Sequence, residues 1–117
     1  MNTKLYDAAV AMRTLLEGVT EVGGRVYPIV ATEGTSYPYI VYHRTDVDVM
    51  QTKDGMGIES ATFQVDVVTA DYTSGLQLAD KVLDLMNGDM DFVPGGVTEG
   101  YIDDSYIQTI TCNLTIE

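Results

Sequence analysis

The chain is short of the residues on which most small-protein chemistry is built. It has one cysteine, Cys112, one histidine, His43, and six lysines and arginines against eighteen aspartates and glutamates. One cysteine excludes an internal disulfide and any zinc site built from cysteine pairs. One histidine leaves few ways to hold a base against a nucleophile. The shortage of cations, with a formal charge of −12, disfavours binding to a phosphate backbone. No apolar run reaches the roughly 18 residues of a membrane-spanning helix. The N-terminus lacks the basic-then-apolar plan of a signal peptide, so a cytoplasmic origin is expected. After Lys81 there is neither lysine nor arginine, while Asp84, Asp89, Asp91, Glu99, Asp103, Asp104 and Glu117 follow. The C-terminal third is therefore purely acidic.

What is present is ordinary globular material. Apolar residues make up 45% and charged residues 21% of 117, which argues against disorder and for one core in one domain spanning 1–117. Leu5, Ala9, Met12, Leu16 and Val19 recur at helical spacing and predict a helix over 3–19, stopped by Gly18 or by Gly23-Gly24. Residues 25–30 form a short strand candidate, placed at an edge or bent by Pro28. Tyr39 to Arg44 is dense in β-branched and aromatic residues, and alternation continues through Val47 and Val49. Ala61, Phe63, Val65 and Val67 alternate with Thr62, Gln64 and Asp66 in a strand from about 58 to 70. These two strands predict a long antiparallel hairpin with a polar tip near 50–57. A second helix over 73–87, capped by Asp71 or Thr73, carries Leu76, Ala79, Val82, Leu83 and Met86 on one stripe. Residues 89–100, with Pro94-Gly95-Gly96, read as a loop, followed by strands over 100–104 and 106–116. The order α-β-β-β-α-β-β predicts an α+β two-layer sandwich: a mainly antiparallel sheet with two helices on one face.

The groups that could carry chemistry favour plain readings. Cys112 falls on the apolar face of the last strand, where a thiol behaves as a small hydrophobe. His43 is a lone strand histidine. Asp46, Asp48 and Asp54 surround the hairpin tip, yet their spacing is not that of a calcium loop. Neither Gly55-Met56-Gly57 nor Pro94-Gly95-Gly96 follows a strand, opens a helix and supplies a lysine, as a phosphate loop must. Asn113-Leu114-Thr115 matches a glycosylation sequon, a pattern without meaning outside secretion. No catalytic, cofactor or metal residue is therefore assigned, and no enzymatic activity is expected. The surface residues are more informative. Tyrosines outnumber phenylalanines eight to two, and Tyr27, Tyr37, Tyr39 and Tyr42 cluster in sequence. Tyrosine suits half-buried sheets and interfaces alike. Val47, Val49, Met50, Met56 and Ile58 lie far out on the hairpin, where a monomer buries little, and point to a partner surface.

Five segments together carry a family resemblance that runs over nearly the whole chain. They are Leu5-Tyr6-Asp7-Ala8, Arg25-Val26-Tyr27-Pro28, Tyr37-Pro38-Tyr39-Ile40-Val41-Tyr42, Phe63-Gln64-Val65-Asp66-Val67 and Leu78-Ala79-Asp80-Lys81-Val82. In this order and spacing the chain resembles the tail completion family of tailed bacteriophages and prophages. The resemblance implies a structural neck protein, similar in fold to tail terminators that form a hexameric ring on the tail tube. It implies tail tube protein, a head connector or stopper protein and further copies of the chain as partners. It implies no membrane, no cofactor, and DNA that passes through without specific binding. Assembly would take place in the bacterial cytoplasm, and the protein would end in the virion neck. Asp103 and Asp104, within the acidic stretch 89–104, would face the passage or a neighbouring subunit. Two other classes compete: a small ligand-binding domain with a pocket at Tyr27–Tyr42, and an acidic protein-interaction domain that mimics DNA. Stabilisation by a specific small molecule would mark the first, and salt-sensitive binding to a basic partner the second.

Overall fold

A computed structural model describes residues 5–52 and 55–115, with the backbone alone at 50, 52 and 56–58. The elements are α1 (Leu5–Glu17), β1 (Val26–Pro28), β2 (Tyr39–Thr52), β3 (Gly55–Thr69), α2 (Tyr72–Asn87), β4 (Phe92–Ile102) and β5 (Ser105–Thr115), with a 3₁₀ turn at Thr20–Val22. The five strands form one sheet in the order β1-β2-β3-β5-β4. All long strands pair antiparallel, and the two helices lie over one face. The α+β sandwich and its element order are those read from the sequence.

The core is one cluster between the helices and that face. Met12 and Leu16 from α1, Val82 and Met86 from α2, and Ile40, Val65, Val67 and Ile110 from the sheet are wholly buried. Burial of each such side chain contributes roughly 1.5–3 kcal/mol. Asp71 caps α2: its carboxylate accepts the Ser74 N–H at 2.9 Å and the Ser74 hydroxyl at 2.8 Å. The backbone donor holds this carboxyl below its ordinary range. After α1, a turn through Val22 reverses the chain at Gly23 and Gly24, both with positive φ (56° and 82°), a backbone region that glycine enters without strain.

Several expectations change in detail. β1 is an edge strand, but it runs parallel to β2, with Val26 opposite Ile40 and Pro28 opposite Tyr42. The connection 29–38 folds over the sheet's other face, pinned by Tyr27–Thr35 (2.7 Å) and Tyr37–Ser105 (2.6 Å) hydroxyl pairs. The buried stripe of α2 is Gly75, Leu78, Ala79, Val82 and Met86, rotated from the predicted one, and Leu76 is exposed. Gly75 belongs there because a Cβ would stand 3.0 Å from the Thr69 hydroxyl. The predicted loop 89–100 is mostly strand β4. Its breakers are absorbed by a bulge between Pro94 and Gly96, at an edge where a missing N–H breaks no ladder. Asp103 and Asp104 are not strand but a two-residue hairpin turn, both with positive φ (51° and 64°).

Candidate functional site

Three surface features stand out, each built by the sheet. The first is an arm. β2 and β3 remain paired from Tyr39 opposite Val68 out to Thr52 opposite Gly55. Among the described residues β5 accompanies β3 only as far as Ser60, and the hairpin of β2 and β3 continues beyond that point. Register shifts after Arg44 and after Asp48 bend it, as bulges do. The expected polar tip at 50–57 is narrower, because the ladder runs through most of it.

Of the predicted partner residues, Val47 packs against the core beside Ala61, whereas Val49 is 55% exposed. The Met50, Met56 and Ile58 side chains lie outside the described residues, as does Asp54; their backbones pair as Met50 with Gly57, Gln51 with Met56 and Val49 with Ile58. Asp103 and Asp104 sit at the other end of the sheet, where Tyr106 pairs with Thr69. The seven residues thus form two separate sites and no continuous patch. Because the Asp103–Asp104 turn needs two left-handed residues, an Asp103→Asn/Asp104→Gly variant should gain up to about 1 kcal/mol while losing two charges. A thermal melt checks this, and a lower melting temperature would refute it.

The second feature is the free edge of β4. Ten of its eleven residues are exposed, Phe92 being the exception. Val97 and Tyr101, opposite Ile110 and Tyr106, are on the helix side, and both are exposed, as is Leu76 of α2. The third feature is a tyrosine cluster at the start of α2. Tyr106 lies 4.8 Å from Tyr101 and 6.2 Å from Tyr72, measured between ring centres. The Tyr72 hydroxyl donates to Glu99 at 2.9 Å, Gln108 donates to the same carboxylate at 3.2 Å, and the Tyr101 hydroxyl donates to Asp104 at 3.1 Å. The carboxylate acceptors raise the pKa of both phenols above the ordinary tyrosine value. Sequence reading missed this cluster, because Tyr72 on α2 is distant in sequence from Glu99, Tyr101 and Tyr106 on the β4–β5 hairpin.

Three of the residues singled out for chemistry, Cys112, Asn113 and Asp48, are otherwise engaged. Cys112 is fully buried, and burial pushes its thiol up to about 11. Unfolding would return it to its ordinary value of 9.0, so the unfolded chain loses this proton first as pH rises. Stability should therefore fall between about pH 9 and 11, and Cys112→Val should flatten that slope in denaturant titrations. Asn113 donates across the sheet to Thr62 at 3.3 Å, a plain structural role for the sequon residue. Asp48 accepts from Ser60 at 3.0 Å. Among the described residues, no three carboxylate, histidine or cysteine side chains converge where they could hold a metal ion. The Tyr27–Tyr42 group divides: Tyr42 is buried against Phe63 on the helix side, while Tyr37 of the 29–38 connection stacks on Tyr39, which also meets Tyr27 edge-on.

The fold and these surfaces define a small α+β protein distinguished by strand edges and an arm. The chain belongs to a phage tail completion family: the model of the family described as tail completion protein gp17 matches residues 7–106. No curated protein gives a significant match. Family membership makes the chain a phage tail protein, in keeping with the resemblance read from its five segments. No helix among the described residues is long and apolar enough to cross a membrane.

Proposed function

We propose that this protein finishes the phage tail by closing the end of the tail tube, joining tail to head, or both, as a ring of copies. The observation that carries this reading is the family match across residues 7–106. The shape of the molecule supports it. A closed ring needs two different, complementary patches on each copy. The arm and the β4 edge are two such patches on opposite sides of one sheet. The acidic run of Asp89, Asp91, Glu99, Asp103 and Asp104 is exposed, with no lysine or arginine after Lys81. The part of it that faces the passage would repel DNA phosphates and let the genome slide, and the rest would face a neighbouring subunit. Tail tube protein below and a connector or stopper protein above would be the partners. Assembly would precede incorporation into the virion neck.

The test is native mass over a concentration series, alone and with cognate tail tubes, with electron microscopy of tube ends. A hexamer, alone or only on tubes, is expected. A monomer that ignores cognate tubes would overturn the reading.

A further inference from the structure

The two free strand edges of the sheet are complementary in direction, face and charge. β2 runs antiparallel to β3, β3 to β5, and β5 to β4. β4 therefore runs opposite to β2. If a second copy continues the sheet with its helices on the same side, its β2 meets the first copy's β4 antiparallel. Every further copy repeats the alternation without a break. The outer edge of β2 is covered by β1 only from Ile40 to Tyr42, which leaves His43 onward without a strand partner on that side among the described residues. Among the described residues, no strand pairs with the outer edge of β4 past its Pro94–Gly96 bulge, from Gly96 to Ile102.

Charge selects the same pairing. Arg13 is paired with Glu17, Lys81 with Glu21, and Arg25 donates to the Pro38 carbonyl. Arg44 is exposed and, among the described residues, its side chain makes no hydrogen bond or ion pair. It lies opposite Phe63, hence on the helix side of the sheet. Glu99 and Tyr101 lie opposite Gln108 and Tyr106, on that same side of β4. Their cluster of two carboxylates and three tyrosine rings has donors from tyrosine and glutamine but, among the described residues, no cation. A guanidinium fits such a place twice over, through the carboxylates and over the ring faces.

We infer that copies of this chain join edge to edge, the β2 edge from His43 to Val49 of one copy adding as an antiparallel strand to Gly96–Ile102 of β4 in the next, with Arg44 seated at Glu99 and Tyr101. The inference rests on the ring reading and specifies its joint. β1 sets the stagger, because the incoming β4 must sit beyond Pro28 along β2. Stagger of this kind is what tilts strands in a closed barrel.

The experiment compares full-length wild type with Arg44→Glu, Glu99→Lys and the combined swap, by native mass and by binding to cognate tail tubes. Glu99→Gln is included because it keeps a side-chain acceptor for Tyr72 and Gln108 while removing the charge. Circular dichroism confirms that each variant is folded. Each single reversal should weaken assembly roughly tenfold or more, Glu99→Gln should weaken it less, and the double swap should restore it. Assembly by both single variants at the wild-type level would overturn the edge joint and leave the ring standing. Loss in both without restoration in the swap would overturn the Arg44 contact. A wild type that remains monomeric on cognate tubes would remove the ring reading and the joint together.

Discussion

Replacing residues 50–57 with a two-residue Asn-Gly turn should leave the protein folded and abolish its action on tail ends. On this hairpin, Val47 and Ala61 are the outermost members of the core among the described residues. Deletion beyond Val49 therefore removes arm and spares the packed layer. Asn-Gly supplies the two left-handed residues that a tight hairpin requires, and the shorter connection lowers the entropy of closing it. The melting temperature should stay within a few degrees of wild type, while electron microscopy should show cognate tubes left uncapped. Collapse of the fold would instead mean that the arm belongs to the core, and normal capping would relieve it of any role on the tail.

Ile110→Ala should have the largest effect on stability. Ile110 is fully buried on β5, directly between Val65 of β3 and Val97 of β4. Neighbours on both flanking strands and under α2 hold the space open, so the cavity closes only in part. The expected loss is about 2–5 kcal/mol, or roughly 10–20 °C in melting temperature. Thr111→Ala, one residue on and exposed, is the control and should change little. Equal effects at both positions would contradict the assignment of faces on β5.

The sequence made the sheet's interior legible because its strands are half-wet. Phe63, Val65 and Val67 against Gln64 and Asp66, and Ile110, Cys112 and Leu114 against Thr111 and Asn113, can face only one way. The edges were harder to read. β4 carries Pro94, Gly95 and Gly96, breakers that a central strand would reject but an edge bulge tolerates. Its exposed residues need no alternation, so no periodic signal marks it. The parallel pairing of β1 depends on where a ten-residue connection travels, which local pattern does not encode. Asp103-Asp104 lacks the glycine that announces a tight hairpin, although aspartate enters the left-handed region more readily than most residues. The tyrosine cluster arises only when the start of α2 meets the β4–β5 hairpin. Of the two surfaces proposed for assembly, the arm was visible as misplaced apolar residues, whereas the β4 edge was not.

The central pairing of β3 with β5 also orders events in time. β2 with β3, and β4 with β5, are antiparallel pairs of strands consecutive in the chain. β3 and β5 meet only after α2 and the whole of β4 have been spanned, with Ser60 opposite Thr115 and Thr69 opposite Tyr106. Local pairings form quickly, and a pairing this distant in sequence sets the pace. Two ready-made hairpins would thus search for one another, with α2 as the tether that keeps them close. Until they lock, the inner edges of both hairpins are as open as the two outer edges that the finished subunit retains.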